Sequence, residues 1–296
     1  MSIAIRTPDV EEAPAIRALL EQHAMVAFGE PELSEAEVRS WFTRPSIYIR
    51  VAERDGVLVG YLDVHAQASG RFPADLRTLD PEVAALLLVE AEKLGREQGA
   101  SAVRAFVQGD DPVFRGVLEA AGWQPIRYSF QMRIELGDDL PAPELPDGLA
   151  PRTLKPGEEE RVYEAHMDAF ADHWEHHRYS FEDWRAFNVE DHSFDSSLWW
   201  LVDDGDELAA LSLNSWHFSG DPQFGWIGVL GVRPPWRRRG LATALLRHSF
   251  RDFRERGATR VGLGVDGENT TGAVRLYERA GMYVARRNDT YEKKLA

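Results

Sequence analysis

Three arginines and a glycine, residues 237–240, form the part of this sequence whose residue types best suit the binding of an anion. An apolar stretch, Phe224–Val232, precedes them and predicts a buried strand that is ended by two prolines. Apolar residues at helical spacing follow from Ala242 and predict a helix. The N–H groups in the first turn of a helix lack intrahelical partners and carry the positive end of its dipole. Strand, basic glycine turn and helix start therefore indicate a phosphate-binding site.

An arginine-rich helix start without a ligand is the alternative interpretation of this segment. Arginine near a helix N-terminus interacts unfavourably with the helix dipole, however. Three arginines in succession need an external anion or nearby acidic side chains, and we favour the anion. Small residues at positions 240 and 242 would let the backbone approach a bulky phosphate group.

The same segment resembles the GNAT acetyltransferase superfamily. Arg237-x-x-Gly240-x-Ala242 is similar to the pyrophosphate-binding signature of that family, [QR]-x-x-G-x-[GA]. Three later segments resemble, in the expected order, the end of the fifth strand (265–269), the next helix (273–282) and the last strand (291–295). A dinucleotide-binding fold also has a strand, a loop and a helix, but its G-x-G-x-x-G pattern does not occur here.

The resemblance implies that acetyl-CoA is the cosubstrate. Backbone groups at the end of the strand would pair with pantetheine, and N–H groups of the turn and helix start would hold the pyrophosphate. The residues implied to bind acetyl-CoA are Leu230, Gly231, Val232, Arg237, Arg238, Arg239, Gly240, Leu241, Ala242, Thr243 and Asn269. Tyr277 matches the tyrosine that protonates the sulfur of departing CoA, although an aromatic residue of the core is the alternative.

The general base is less clearly indicated. Many members of the family carry a glutamate on the strand that corresponds to Phe224–Val232, but this strand contains no acidic residue. Asp172 and Glu175, in the segment 168–177, are candidates for the base or for binding the amine, and a solvated polar loop is the alternative. The spacing of the histidines and acids there fits no standard metal site, so we expect no metal.

Two similar halves must position these residues. Residues 138–148 are rich in proline and acidic residues and predict a linker between domains 1–137 and 149–296. The segments that match between the halves are 97–101 with 255–259, and 118–122 with 277–281. Strands alternate with helices in both halves, which predicts two tandem α/β domains, each with a mixed sheet of the α+β kind.

The first half has lost the residues that would suit it to CoA. Gly240 of the second half corresponds to Glu82 of the first, and Tyr277 corresponds to Leu118. Pro81 also removes a backbone donor from the corresponding helix start. Because acidic residues cap a helix well but repel pyrophosphate, we predict a degenerate first domain that covers the acceptor cleft or mediates association.

The composition excludes several classes of protein. The chain of 296 residues has no cysteine, which excludes disulfides, thiolate metal ligands and a cysteine nucleophile. Its net charge of −15 provides no basic footprint for nucleic acid. No apolar run is long enough to cross a bilayer and no secretory signal is visible, so we expect a cytoplasmic protein without a membrane partner.

Together these features predict an acetyl-CoA-dependent N-acetyltransferase that transfers the acetyl group directly to a primary amine of a small molecule. The tandem arrangement resembles the mycothiol synthases, which acetylate the cysteinyl amine of a sugar conjugate, and antibiotic acetyltransferases are a further option within the family. A protein N-acetyltransferase and a non-catalytic acyl-CoA sensor or interaction protein are the alternatives. The acceptor stays open, as does the choice between a monomer and a homodimer.

Overall fold

The computed structural model describes residues 2–31, 33–108, 111–176, 178–190, 194–216, 221–269 and 271–295. They divide into two compact units. Unit 1 contains the described residues up to Phe130 and those from Arg286 onward, and unit 2 contains the described residues between Gln131 and Ala285. Among the described residues, no helix has both the length and the apolar character needed to span a bilayer.

Unit 1 is a mixed sheet with helices packed against it. In chain order its elements are β1 (Ile3–Arg6), α1 (Ala13–Phe28), α2 (Glu35–Trp41), β2 (Ile47–Arg54), β3 (Val57–His65), β4 (Arg71–Arg77), α3 (Pro81–Glu97), β5 (Ala102–Gln108), α4 (Pro112–Ala120) and the first part of β6 (Gln124–Glu135). Strands β1 to β4 pair antiparallel in succession, and β4 pairs parallel with β5. The crossover helix α3 makes this parallel pairing possible.

Unit 2 has the same order of elements. They are the end of β6, β7 (Pro151–Thr153), α5 (Glu159–Ala169), α6 (Phe181–Asn188), β8 (Trp199–Asp204), β9 (Glu207–Trp216), β10 (Phe224–Val232), α7 (Leu241–Glu255), β11 (Arg260–Asp266), α8 (Ala273–Arg279) and the start of β12 (Tyr283–Lys294). Strands β7 to β10 are antiparallel in succession, and β10 is parallel to β11. The predicted fold class, a mixed-sheet α/β fold in tandem halves, is confirmed.

The last strand differs from the predicted domain boundaries. The sequence predicts that residues 291–295 complete the second domain, but β12 from Arg286 onward belongs to unit 1 and pairs antiparallel with β5. Tyr291 is 2% exposed in the core of unit 1, and its hydroxyl donates to Oε1 of Glu119 at 2.9 Å. Burial of this ring stabilises the strand in unit 1. Residues 131–135 of β6 conversely belong to unit 2, where β6 lies beside β11.

The predicted linker, residues 138–148, packs against unit 2. Nη1 of Arg247, on α7, donates to the carbonyl oxygen of Ala142 at 3.4 Å. Leu145 packs against the buried cluster that includes Leu241. Unit 2 accordingly begins ahead of the predicted boundary at residue 149.

Close packing against β10 holds the C-terminal part of α7 on the sheet. Phe253 of α7 is fully buried, and a Cβ atom built on Gly225 of β10 would lie 2.6 Å from its ring. Glycine is therefore required at this position of the strand if the helix is to approach so closely. Burying a phenylalanine side chain contributes roughly 1.5–3 kcal/mol. The helix is thus packed on β10, and its first residue, Leu241, directly follows the basic turn.

Candidate active site

A cleft with a volume of about 710 Å³ opens in unit 2. Its walls come from the ends of β10 and β11, the starts of α7 and α8, and the loop after α5. All the residues implied by the sequence to bind acetyl-CoA line this cleft, except Arg239. Tyr277 and Asp172 line it as well, whereas Glu175 does not. Residues far apart in the sequence are therefore brought to one place.

The cleft exists because β10 and β11 separate. Their parallel register ends with Ile227 opposite Leu263, although β10 continues to Val232 and β11 to Asp266. Beyond that point both strand ends line the cleft. The edge of β10 that faces β11 therefore presents backbone N–H and C=O groups to the cleft, as an unpaired strand edge does.

A bulge in β10 begins this separation. Against β9, Ile227 lies opposite Asn214, while Val229 lies opposite Leu213, so Gly228 is the extra residue. A bulge bends the strand that carries it and increases the local twist. The pairing of β10 with β11 ends at Ile227, directly before this bulge.

The start of α7 offers backbone donors to the cleft. Gly240, the N-cap, has φ 85° and ψ −5°, a left-handed conformation that glycine adopts without strain. Within the described part of the chain, no side chain caps this helix start. The N–H group of Ala244 donates to the carbonyl oxygen of Gly240 at 3.0 Å, so the N–H groups of residues 241–243 precede the intrahelical hydrogen bonds. This arrangement can bind an anion.

Arg237 is held by protein groups. Its Nη1 donates to Oδ2 of Asp172 at 2.7 Å and its Nη2 to Oδ1 at 3.0 Å, while the carbonyl oxygens of Ala169 and Val232 accept further bonds at 3.1 and 3.2 Å. These bonds join the end of α5 to the end of β10. The hydrogen bonds from Arg237 also lower the pKa of the Asp172 carboxyl group, because they stabilise its charged form. The first arginine of the signature therefore shapes the cleft.

The other two arginines differ in what they contact. Arg239 lies outside the cleft lining, and its Nη1 donates to Oδ2 of Asp204 at 3.1 Å. Arg238 lines the cleft, is exposed, and has a φ of 63°. No carboxylate among the described residues pairs with it, so its guanidinium charge is available to a ligand in the cleft.

Tyr277 lies on α8 with its side chain in the wall of the cleft. The residue is 8% exposed, and burial raises the pKa of its hydroxyl to about 12. A phenol with such a pKa keeps its proton at neutral pH. The group can donate a proton to a basic atom in the cleft, but it cannot accept one from an amine.

Asn269 is oriented by its own loop. Its Oδ1 accepts a hydrogen bond from the backbone N–H of Thr271 at 2.7 Å. The side-chain oxygen is therefore used within the loop before α8. The amide nitrogen is the group left to donate to a ligand in the cleft.

The two candidate bases, Glu175 and Asp172, do not have the surroundings that a general base requires. Glu175 is exposed and has a φ of 51°. Asp172 lines the cleft, but both of its carboxylate oxygens accept hydrogen bonds from Arg237. Neither environment favours a base. His177, which lies in the same segment, falls outside the described residues.

His173, to which the sequence reasoning assigns no role, lies between these two residues and lines the cleft. Its imidazole packs against the ring of Phe170, with the ring centroids 4.3 Å apart. Burial, the largest effect on it, lowers its pKa below 6.5, so the imidazole is neutral at pH 7. The signal for it in the sequence was its place in the segment 168–177, between the two candidate bases.

Comparison with known proteins gives an independent description of the same region. The model of the acetyltransferase (GNAT) family matches residues 159–282. That segment contains every residue that lines the cleft.

The relatives include acetyltransferases similar over a large part of the chain. The mycothiol acetyltransferase of Thermobispora bispora is 35% identical over 190 residues, which are 63% of this chain and 64% of that protein. The mycothiol acetyltransferase of Salinispora arenicola is 33% identical over 255 residues, 80% of this chain and 78% of that protein. A solved structure, a GCN5-related N-acetyltransferase from Sphaerobacter thermophilus, is 29% identical with a TM-score of 0.84 and covers 99% of this chain and 96% of its own.

Proposed function

Since the chain belongs to the GNAT acetyltransferase family, we propose that unit 2 transfers the acetyl group of acetyl-CoA directly to a primary amine of a small molecule. The observation that carries this proposal is the start of α7. There, Gly240 leaves backbone donors without a side-chain cap among the described residues, at a cleft formed by two separating strands.

The pyrophosphate of CoA fits this helix start. The N–H groups of residues 241–243 would donate to its oxygens, and the guanidinium of Arg238 would add an opposite charge from the side of the turn. Hydrogen bonds to charged groups contribute about 1.5–3 kcal/mol each. Arg237 has a different role in this proposal, because its guanidinium fixes the turn against α5 and β10.

The pantetheine arm fits the edge of β10. Its two amide groups would pair with the backbone of residues 230–232 as an added strand, and the side-chain nitrogen of Asn269 would donate from the other wall. The thioester would then lie between β10 and β11, in the cleft that Tyr277 also lines.

Acetyl transfer to an amine requires a neutral amine, stabilisation of the developing oxyanion, and a proton for the departing thiolate. Backbone N–H groups of β10 beyond the bulge would donate to the oxyanion. Tyr277, protonated at neutral pH, would supply the proton to sulfur. Because the chain contains no cysteine, direct attack by the amine is the simplest route.

The acceptor we favour is the cysteinyl amine of a sugar conjugate. Support for this choice comes from the relatives, whose names describe mycothiol acetyltransferases. The cleft itself supports a cationic acceptor, since Asp266 lines its wall and the carboxylate would attract an ammonium group.

A panel of amines incubated with the purified chain and acetyl-CoA tests the proposal. The panel contains cysteinyl sugars, aminoglycosides, amino acids and polyamines, and mass spectrometry measures the N-acetyl products, because acceptors that carry thiols would interfere with a thiol-release assay. We expect one class to be acetylated. Binding of acetyl-CoA without any product would favour a non-catalytic acyl-CoA sensor or a protein acceptor, and absence of binding would refute the proposal.

A further inference from the structure

We propose that His173 is the general base that takes a proton from the acceptor amine in the cleft of unit 2. This assignment depends on the acetyl-transfer function proposed above. Strand β10 carries no acidic residue between Phe224 and Val232, so another element must supply the group that accepts the proton. His173 belongs to the loop after α5, which forms one wall of the cleft.

Few side chains in the cleft can accept a proton. The titratable groups among its described lining residues are Asp172, His173, Arg237, Arg238, Asp266 and Tyr277. Arginine does not lose its proton in proteins, and Tyr277 is already protonated. Asp172 forms a bidentate ion pair with Arg237, which would have to break before the carboxylate could take a proton. His173 and Asp266 remain.

The backbone holds His173 in a defined position. Its N–H group donates to the carbonyl oxygen of Phe170 at 2.9 Å, and its own carbonyl oxygen accepts from the N–H of His176 at 3.0 Å. The neighbouring residue, Asp172, is fixed to the turn before α7 by Arg237. One face of the imidazole packs on the ring of Phe170. Two hydrogen bonds therefore hold the backbone of His173, and packing against Phe170 holds its ring.

The charges around His173 suit a base at neutral pH. Burial has the largest effect on the pKa of the imidazole and lowers it. The charges of Asp172 and Asp266 raise this pKa and those of His176 and Arg237 lower it, so the net change is a lowering. An imidazole in this state is unprotonated at pH 7, and imidazole is a stronger base than a carboxylate.

Asp266 suits a different role. One of its oxygens, Oδ1, accepts a hydrogen bond from the backbone N–H of Glu268 at 3.1 Å. Its negative charge in the cleft wall can attract an ammonium group before His173 removes a proton from it. We therefore assign electrostatic attraction to Asp266 and proton abstraction to His173.

The proposed step balances as follows. The ammonium group loses one proton to the unprotonated nitrogen of His173, and the neutral amine then forms a C–N bond with the thioester carbon. The C–S bond breaks, and the hydroxyl of Tyr277 protonates the leaving sulfur. The nitrogen of the new amide gives its excess proton to the Tyr277 phenolate, and His173 releases its proton to solvent. The net products are the amide, free CoA and one proton.

A pH profile of His173→Gln tests the assignment. Using the cysteinyl sugar of the panel, or whichever of its amines is acetylated fastest, kcat/KM of the unsubstituted chain should fall at acidic pH with a midpoint below 6.5, as His173 becomes protonated. In His173→Gln we expect a decrease of about 100-fold and loss of this acidic limb, because general base catalysis contributes about 10²–10⁴. The Kd for acetyl-CoA should change less than about twofold.

Chemical rescue separates a base from a residue that only shapes the loop. Imidazole added to His173→Ala should restore part of the rate, and a series of substituted imidazoles should restore it in proportion to basicity. His176→Gln, in the same loop but outside the cleft lining, is the matched control and should retain the acidic limb. An acidic limb that survives in His173→Gln and disappears in Asp266→Asn would assign the base to Asp266. If the unsubstituted chain acetylates no amine, the proposed function itself fails.

Discussion

The two units begin corresponding helices in opposite ways. In unit 2, α7 starts from Gly240 in a left-handed conformation without a side-chain cap among the described residues. In unit 1, α3 starts from Asp80, whose Oδ1 accepts from the N–H groups of Glu82 at 2.9 Å and Val83 at 3.4 Å, and Pro81 follows as the first helical residue. Unit 1 thus satisfies with its own carboxylate the donors that unit 2 leaves to a ligand.

The same contrast recurs at the next helix. In unit 1, Oδ1 of Asp111 accepts from the N–H of Phe114 at 2.8 Å at the start of α4. In unit 2, α8 starts from Gly272 in a left-handed conformation, and no side chain of the described residues caps it. A cleft of about 400 Å³ in unit 1 is lined by both capping aspartates. The backbone framework is kept, while the carboxylates occupy the positions where an anion would bind.

A helix N-terminus therefore does not by itself make a phosphate site. A carboxylate cap stabilises the helix by about 1 kcal/mol and removes the donors from use. We therefore propose that unit 1 does not bind CoA. In unit 2 the helix start is less stable because it has no carboxylate cap, and its N–H groups are left for the ligand.

Giving α7 the acidic start of α3 should have the largest effect. Gly240→Asp places a carboxylate near the proposed pyrophosphate, where a like charge at about 5 Å costs about 3 kcal/mol at an effective dielectric constant of 20. We expect the Kd for acetyl-CoA, measured by calorimetry, to increase at least about 100-fold.

Gly240→Asn is the matched control, since asparagine has the same shape and tolerates a positive φ but carries no charge. It should lose much less affinity than Gly240→Asp. Equal losses in the two variants would mean that backbone conformation, and not charge, distinguishes the helix starts. A Cβ atom at Gly240 meets no atom within 4 Å, so neither variant should clash.

The second prediction concerns Tyr277 and its counterpart Leu118. The two residues occupy equivalent backbone positions. The carbonyl oxygen of Tyr277 accepts from the N–H of Met282 at 3.0 Å, and that of Leu118 accepts from the N–H of Trp123 at 3.0 Å. Leu118 is fully buried and chemically inert, so Tyr277→Phe moves unit 2 toward unit 1. We expect kcat to decrease roughly 100-fold with little change in the Kd for acetyl-CoA. An unchanged kcat would remove Tyr277 from the mechanism.

Local patterns made much of this comparison predictable from the sequence. The apolar run of β10 and the glycine at the start of α7 depend only on local backbone conformation and on neighbouring residues in the chain. Features of this kind can be recognised in the sequence. The loss of the glycine and of the tyrosine in unit 1 is also visible in the sequence, because the repeat places Glu82 opposite Gly240 and Leu118 opposite Tyr277.

What the sequence could not predict depends on contacts between distant residues. The pairing of Arg237 with Asp172 joins positions 65 residues apart and changes both from ligand-binding or basic groups into structural ones. The assignment of β12 to unit 1 depends on the burial of Tyr291 there. His173 has no sequence feature that separates it from its neighbours, and its pKa depends on burial by the fold.

Removing the side-chain cap of α3 in unit 1 should have a moderate effect, which is confined to the stability of that helix. Asp80→Ala should lower the local unfolding free energy of α3 by about 1–2 kcal/mol, because two N–H groups lose their acceptor. Hydrogen exchange of peptides from α3 measures this. The ion pair of Asp80 with Arg54, at 2.8 Å and partly exposed, should add little.

Asp80→Asn should retain most of that stability, since asparagine caps a helix about as well as aspartate. Neither variant should let unit 1 bind acetyl-CoA, because Pro81 and Glu82 remain. Acetyl-CoA binding that appears in Asp80→Ala when Gly240→Asp blocks unit 2 would show that the cap alone separates the two units.

The smallest predicted effect comes from a polar network on β3. Oδ2 of Asp63 accepts from the hydroxyl of Tyr61 at 2.8 Å, and its Oδ1 lies 3.1 Å from Nε2 of His65. Counted from the bulge in each hairpin, β9 of unit 2 has Leu211 and Leu213 in place of the tyrosine and the aspartate. Unit 1 has thus buried a carboxylate, 3% exposed, where unit 2 has apolar packing.

This network should make the stability of unit 1 depend on pH. Burial lowers the pKa of His65, but the hydrogen bond and charge of Asp63, with the charge of Asp75, outweigh it, so the folded pKa is raised above 6.5. The stabilisation is therefore complete below the unfolded pKa and is lost as pH rises through the folded pKa. Hydrogen exchange of β3 peptides, corrected for intrinsic rates, should show the protection of the unsubstituted chain, relative to His65→Gln, falling as the pH rises from 6.5 through the raised folded pKa. The change should stay below about 1 kcal/mol, because the side chain of His65 is 38% exposed and solvent screens the pair. Peptides from β9 in the same samples should show no difference between the two proteins, and a β3 difference that grows with pH would reverse the assigned sign.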